Sequence, residues 1–124
     1  MNWSASGAVA LAVAVMLGAF GAHGLKDRLD AYSMSIYEKA VFYHFAHALG
    51  LFIVPLLPKT GYLSQTQATW VCSFLLAGIV LFSGSLYVLA VTRISGLGII
   101  TPFGGLSFIA AWLMLAWMLL RNQQ

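Results

Sequence analysis

The stretch YEKAVFYHFAHALGLF, residues 37–52, decides the fold class because it has the pattern of a membrane helix, yet it carries two histidines one helical turn apart, behind a Glu-Lys pair. Three further apolar runs accompany it, and together the four runs use most of the 124 residues. A run of about 20 apolar residues is long enough to cross a hydrocarbon layer about 30 Å thick. The pattern therefore predicts an all-α, polytopic membrane protein built as a bundle of four transmembrane helices.

The composition supports a single transmembrane domain over residues 1–124. The chain is 61% hydrophobic and only 7% charged, against about 25% charged residues in soluble domains. The predicted spans cover about residues 6–25, 35–57, 69–91 and 101–120. They leave no room for an aqueous domain, and the formal net charge of +3 is too small and scattered for a nucleic-acid footprint. We expect the lipid bilayer as a partner and no nucleic acid.

The short connections predict antiparallel neighbouring helices, so loop one (residues 26–36) and loop three (residues 92–100) share one side of the membrane. That side carries four basic residues, and the other side carries two, Lys59 and Arg121. Because positively charged loops tend to stay inside the cell, we expect loops 26–36 and 92–100 in the cytoplasm and both termini outside. The margin is small, and insertion in both orientations is the alternative.

Small residues mark the expected helix contacts, because helices in lipid associate through close backbone approach. The first span places Gly7, Ala10, Ala14, Gly18 and Gly21 on one face, at spacings that bring residues together on a helix. Gly84 in the third span and Gly104 and Gly105 in the fourth belong to the same class. These positions predict either tight packing within one bundle or an interface between copies.

A polar cluster is predicted in one leaflet, on the side of loops 26–36 and 92–100. The second span separates a bulky apolar stripe from a face with both histidines, and ionisable residues in spanning helices usually face the bundle interior. Counting 1.5 Å per residue along each helix gathers polar side chains from all four spans near one depth. The candidate residues are His23, Tyr43, His44, His47, Ser83, Ser85, Tyr87 and Thr101.

Three interpretations of this cluster stay open: a hydrogen-bonded network that fixes helix register, a shallow pocket that binds a ligand, and a metal or haem site. His44 and His47 with His23 and Glu38 could approach a zinc ion, but the sequence has no H-E-x-x-H motif and no cysteine pair. Bis-histidine haem needs a roomy cleft, which the small-residue stripes disfavour. We therefore expect no metal and no cofactor.

The sequence predicts that the protein is not an enzyme. The segment GSLY, residues 84–87, is not a nucleophile elbow, and no carboxylate is placed to orient a histidine. The leading hypothesis is a non-enzymatic membrane module in an accessory or assembly role, whose cluster binds a small ligand, a lipid head group or a partner helix. The alternatives are an oligomeric small transporter or channel subunit and, third, a haem or redox subunit. A homo-oligomer or a partner membrane protein is compatible with each.

Four blocks carry a family resemblance, one for each span: GAFGAHGL (18–25), YHFAHALGLF (43–52), LFSGSLYVLAV (81–91) and ITPFGGLSFIAAW (100–112). They resemble a family of small four-helix bacterial inner-membrane proteins catalogued as domain of unknown function 423, which has a small transmembrane relative in eukaryotes. The resemblance implies four spans and residence in a bacterial cell membrane. It implies no activity, and it covers neither residues 58–68 nor the C-terminal tail.

Overall fold

A computed structural model describes residues 1–123, and these residues form helices and short connections with no strand. Four helical segments are long and apolar enough to cross a membrane, which confirms the predicted fold class. They are Trp3–Leu25, Ala31–Thr60, Gln65–Thr92 and Ser95–Asn122. Each extends a few residues beyond the corresponding predicted span, and the connections are accordingly short.

Within these segments the α-helical parts are interrupted by turns of other helical types. We number the α-helices α1 (Trp3–Phe20), α2 (Ala31–Ile53), α3 (Gln65–Gly78), α4 (Ser85–Thr92) and α5 (Thr101–Asn122). The π-helical segment Gly21–Leu25 extends α1, the 3-10 segment Val54–Thr60 extends α2, the π-helical segment Ile79–Gly84 joins α3 to α4, and a 3-10 turn, Ser95–Ile99, precedes α5.

Side-chain caps explain where α2 and α3 begin. The carboxylate of Asp30 accepts a 2.7 Å hydrogen bond from the Ser33 backbone N–H, so α2 begins at Ala31 rather than near residue 35, because an N-cap satisfies a backbone donor that the helix cannot. Ser64 and Gln67 form a reciprocal capping box at α3. α5 begins at Thr101, and its N-cap residue, Ile100, makes no side-chain capping bond.

The close helix contacts use some of the predicted small residues and not others. A Cβ atom added at Gly7 would lie 2.6 Å from the Phe52 Cα of α2, and one at Gly104 would lie 2.7 Å from the Phe82 Cα. The prediction of close helix contact does not hold for Gly84 and Gly105. Cβ atoms added there would meet nothing closer than 3.9 Å and 3.7 Å. Neither glycine is required for backbone approach.

The stripe on the first span faces α2, its main packing partner. Ala14 is fully buried, and Ala10 is partly buried against the core. An added Cβ at Gly21 would overlap the ring of Tyr37, whereas one at Gly18 would meet a Val41 methyl at 3.4 Å. The small residues of the first span therefore pack against α2 of the same chain.

The second segment lies at the centre of the bundle, because α2 packs against α1 and also against α3, α4 and the π-helical segment between them. α5 packs on α3 and the same π-helical segment. The apolar stripe predicted to face lipid is exposed on the bundle surface: Phe42, Phe45, Leu49, Phe52 and Leu56. The opposite face is buried, and it carries both histidines into the interior.

Candidate functional site

His44 joins three spans at one level of the bundle. Its imidazole is only 4% exposed, and its Nδ1 lies 2.9 Å from the Tyr87 hydroxyl of α4. The backbone of Ala10 in α1 lies close to this ring. A neutral imidazole has one acceptor and one donor nitrogen, so Nδ1 can accept from the tyrosine hydroxyl while the other nitrogen carries the proton.

His47 is held by its own helix and by α5. Its Nδ1 donates to the Tyr43 carbonyl oxygen at 2.7 Å, since a carbonyl can only accept. Its ring stacks on Phe108, with ring centroids 3.5 Å apart and planes 15° from parallel. The rings of Tyr43 and Trp112 flank it at 5.9 Å and 5.8 Å. These contacts fill the space around the imidazole with aromatic surface.

Hydroxyl groups complete the polar cluster by bonding across helix pairs. Ser83 is fully buried and donates to the Ala40 carbonyl oxygen of α2 at 2.9 Å. The hydroxyls of Ser85 and Thr101 lie 2.6 Å apart and link α4 to α5. Tyr37 donates to the Leu17 carbonyl oxygen of α1 at 2.5 Å. Each bond therefore connects two different spans.

Two of the predicted cluster residues are placed differently. His23 is exposed and makes no side-chain hydrogen bond with any residue in 1–123, because it lies on the outer side of the π-helical turn that ends the first segment. Tyr43 is 36% exposed and contributes its ring and its backbone carbonyl, not its hydroxyl. His44, His47, Ser83, Ser85, Tyr87 and Thr101 do come together.

The cluster is satisfied by its own members. Among residues 1–123, no buried side-chain nitrogen or oxygen lacks a hydrogen-bond partner. Over the same residues, no three His, Cys, Asp or Glu side chains converge in a way that could hold a metal ion. A ligand entering here would have to break bonds that already exist.

A separate cavity of about 350 Å³ opens at the same end of the bundle. We call it the interfacial cavity. It lies between the first turns of α2 and the last turn of α4, with the loop before α5 along its rim. Its lining includes Asp30, Ser33, Ile36, Leu89, Arg93 and Gly98. It therefore combines polar groups at loops one and three with apolar side chains deeper in the helices.

An ion pair stands at the mouth of this cavity. The Arg93 Nη2 lies 2.5 Å from the Asp30 Oδ2, and both side chains are at least half-exposed. The Ser33 backbone N–H, then the Ser33 hydroxyl, and to a smaller degree Arg93 hold the pKa of Asp30 below its ordinary value. Asp30 is therefore a carboxylate at neutral pH, and it joins the start of α2 to the end of α4.

Arg93 is the single non-glycine residue in 1–123 with a positive φ, at 60°. It ends α4 in the left-handed conformation, and its N–H bonds to the Leu89 carbonyl oxygen. Residues held in such conformations cost free energy and concentrate at functional sites. Glycine is the usual residue at such a helix end, so Arg93 adopts a backbone conformation that its side chain disfavours.

Sequence reasoning missed this pair. From the sequence, Asp30 belongs to a mixed-charge cluster in loop one, interpreted as a solvated linker or, alternatively, a partner-docking patch. An aspartate directly before a helical pattern is also a standard N-cap signal. Arg93 carried no signal of its own, because its neighbour lies 63 residues away in the chain. The stacking of His47 on Phe108 was likewise not predictable, because the sequence does not show whether a phenylalanine in an apolar span faces lipid or the core.

The comparison with protein families covers most of the bundle. A family model described as a protein of unknown function, DUF423, matches residues 17–105. The chain belongs to this family. The match runs from the end of α1 to the first turn of α5, so it includes both the polar cluster and the interfacial cavity, and it confirms the resemblance of the four sequence blocks.

Relatives in this family are named as membrane proteins. The chain is 50% identical over 111 residues to the UPF0382 membrane protein YwdK of Bacillus subtilis, with 88% of each chain covered. It is 50% identical over 109 residues to the UPF0382 membrane protein SH2409 of Staphylococcus haemolyticus, covering 88% of this chain and 87% of the relative. No solved structure matches the chain. With its four membrane-capable helices, the protein is an integral membrane protein.

Proposed function

We propose that the protein is a non-enzymatic membrane module whose interfacial cavity binds the head group of a membrane amphiphile, while the polar cluster holds the four helices in register. The observation that carries this proposal is the composition of the cavity. The Asp30–Arg93 pair stands at its mouth, and Ile36 and Leu89 line it. A head group joined to an acyl chain has the same polar-to-apolar order.

The interfacial cavity suits ligand binding better than the polar cluster, for which the sequence predicts that role. Cluster groups are already paired, and leaving a buried group without its partner costs about 1–3 kcal/mol. The cavity volume of about 350 Å³ falls within the range of roughly 300–1,000 Å³ typical of small-molecule sites. The cluster then serves as the rigid support below the cavity.

This function suits an accessory or assembly role in a bacterial inner membrane, with loops one and three on the cytoplasmic side. The positive-inside pattern supports that orientation. The short connections between the four membrane-capable segments offer little surface outside the bilayer. With so little surface outside the bilayer, the protein would recognise its ligand through the interfacial cavity. That ligand would be a lipid, either free in the bilayer or bound to a partner membrane protein.

Obstruction of the cavity tests the proposal. An added Cβ at Gly98 meets nothing within 4 Å, so Gly98→Trp can place a large ring at the rim without a backbone clash. We expect the purified variant to retain less phospholipid per chain than the wild type, measured by native mass spectrometry in mild detergent.

Gly96→Trp is the matched control. Gly96 is equally open, belongs to the same 3-10 turn, and is not among the residues that line the cavity. It should retain wild-type amounts of phospholipid. Equal retention by the two tryptophan variants would contradict the proposal.

A further inference from the structure

We propose that the interfacial cavity selects a phosphoethanolamine lipid head group, with the Arg93 guanidinium on the phosphate and the Asp30 carboxylate on the ammonium. This inference rests on the proposed function and specifies its ligand. It follows from the unused hydrogen-bonding capacity of the two side chains and from the net charge of the pair.

Arg93 keeps most of its donors available. A guanidinium has five N–H donors in a planar fork, and in this structure only Nη2 is bonded, to Asp30. The side chain is 63% exposed at the cavity mouth. Arginine binds phosphate through two parallel charge-assisted hydrogen bonds, so Arg93 can hold a phosphate without releasing Asp30.

Asp30 keeps free acceptor positions. A carboxylate has about four lone-pair sites, and the hydrogen bonds of this structure use two of them, one for the Ser33 backbone N–H and one for Arg93. A primary ammonium can donate to a remaining site. A choline head group has no N–H to donate, and a glycerol head group can donate only from a neutral hydroxyl, so neither can form the hydrogen-bonded ammonium–carboxylate pair.

The charge of the pair also favours a zwitterion. Arg93 and Asp30 sum to zero, so the cavity mouth offers one positive and one negative group side by side rather than a basic patch. The basic residues of loop one, Lys26 and Arg28, do not line the cavity. An anionic lipid would meet Asp30 without compensation, whereas phosphoethanolamine matches both charges.

The rest of the cavity suits the glycerol and first methylene groups of a lipid. Ile36 and Leu89 line it on α2 and α4. Tyr32, also in the lining, is 75% exposed, as expected for an aromatic side chain at the membrane interface. The head group would then lie at loops one and three, with its acyl chains along the outer surface of the bundle.

The test uses full-length protein in detergent micelles with equimolar phosphatidylethanolamine, phosphatidylglycerol and phosphatidylcholine, with bound lipid read by native mass spectrometry. We expect the wild type to prefer phosphatidylethanolamine. Asp30→Asn should reduce its preference over phosphatidylglycerol about tenfold, the equivalent of about 1.4 kcal/mol for one charge-assisted bond. Asparagine is as good an N-cap as aspartate, so α2 should still begin at Ala31.

Matched variants separate the site from general surface charge. Asp27→Asn makes the same chemical change three residues away, outside the cavity lining, and should leave the preference unchanged. Arg93→Gln should weaken binding of all three phospholipids about tenfold, because each carries a phosphate. Arg28→Gln, its control, should have no such effect.

The outcomes distinguish this inference from the proposed function. If Gly98→Trp lowers lipid retention but the wild type shows no preference for phosphatidylethanolamine, or Asp30→Asn behaves like Asp27→Asn, the head-group assignment is wrong and the cavity remains a lipid site. If Gly98→Trp also has no effect, both proposals fail. A wild-type preference for phosphatidylglycerol overturns the inference outright.

Discussion

At the scale of single residues, the buried imidazole of His44 shows how a polar group is kept inside a membrane bundle. Lipid offers no hydrogen-bond partners, so each ring nitrogen needs one from the protein. The Tyr87 hydroxyl supplies one for Nδ1 at 2.9 Å, and the backbone of Ala10 lies beside the ring. The hydrogen bond of His44 therefore links α2 to α4.

Removing the tyrosine hydroxyl should weaken this link. Tyr87→Phe preserves the ring, which packs edge-on against Tyr37 at 5.3 Å, but leaves the His44 Nδ1 without its partner. We expect the free energy of unfolding to fall by about 1–2 kcal/mol, measured by thermal or denaturant unfolding in detergent.

Tyr43→Phe is the internal control for this prediction. It removes the same atom from a tyrosine whose hydroxyl makes no hydrogen bond within residues 1–123, while its ring stacks beside His47. Its stability should stay close to that of the wild type. If both variants lose equal stability, the His44–Tyr87 bond does not contribute as proposed.

At the scale of helices, the third segment works on two sides at once. Ser83 bonds to α2 and Ser85 bonds to α5. Residues two apart on a helix point in nearly opposite directions, so the two serines reach different neighbours. Both are buried because the third segment lies between the second and fourth segments. The π-helical segment Ile79–Gly84 occurs at this point, as such turns often do at functional sites.

The crossing of α5 over the third segment brings two backbones together at Gly104. Gly104→Ala would bring its Cβ to 2.7 Å from the Phe82 Cα, and a backbone atom cannot move aside as a side chain can. We expect a loss of about 1–3 kcal/mol in unfolding free energy, the usual cost of overpacking, measured by circular dichroism during thermal unfolding in detergent.

Gly105→Ala is the matched control, because it makes the same substitution at a glycine that does not touch a neighbouring backbone. An added Cβ there lies 3.7 Å from the Phe82 ring, an ordinary contact, and alanine favours helix over glycine by about 1 kcal/mol. This variant should be neutral or more stable than the wild type. Equal destabilisation at both positions would show that the close backbone approach at Gly104 is not what holds α5.

At the scale of the whole molecule, the bundle is asymmetric from end to end. The polar cluster, the π-helical segments and the interfacial cavity lie toward loops one and three, while the core toward the other end is built from apolar side chains such as Leu51, Val71 and Leu75. Orientation in the membrane therefore decides which compartment the cavity meets.

Cysteine labelling tests the orientation proposed from the basic residues. The single native thiol, Cys72, is buried, so it can stay in place. Gly96→Cys reports on loop three, and Thr66→Cys reports on the opposite side. With a membrane-impermeant maleimide on intact cells, we expect only Thr66→Cys to react, and Gly96→Cys to react after permeabilisation.

The reverse pattern would invert the topology, and labelling of both sites in intact cells would indicate dual insertion. Neither result would affect the fold, because helix packing does not depend on the side from which each helix enters. It would change only the compartment that faces the Asp30–Arg93 pair.

The amino-acid sequence by itself determined the four spans, the family and the inward direction of His44 and His47. Hydropathy and helical periodicity are local properties, so they can be read without coordinates. The short connections also placed the polar residues of different helices at one end. These inferences needed only run length, spacing and the order of the spans.

Only the tertiary structure decided which polar groups pair and where space remains. Tyr87 rather than His23 approaches His44, Gly104 rather than Gly105 touches a neighbouring backbone, and Asp30 meets Arg93 across 63 residues of chain. Such pairings depend on helix rotation and on the extra residue in each π-helical turn, which hydrophobic pattern does not encode. For the same reason, the sequence could not predict the cavity. It also could not show whether the polar side chains pair with one another or stay free to bind a ligand.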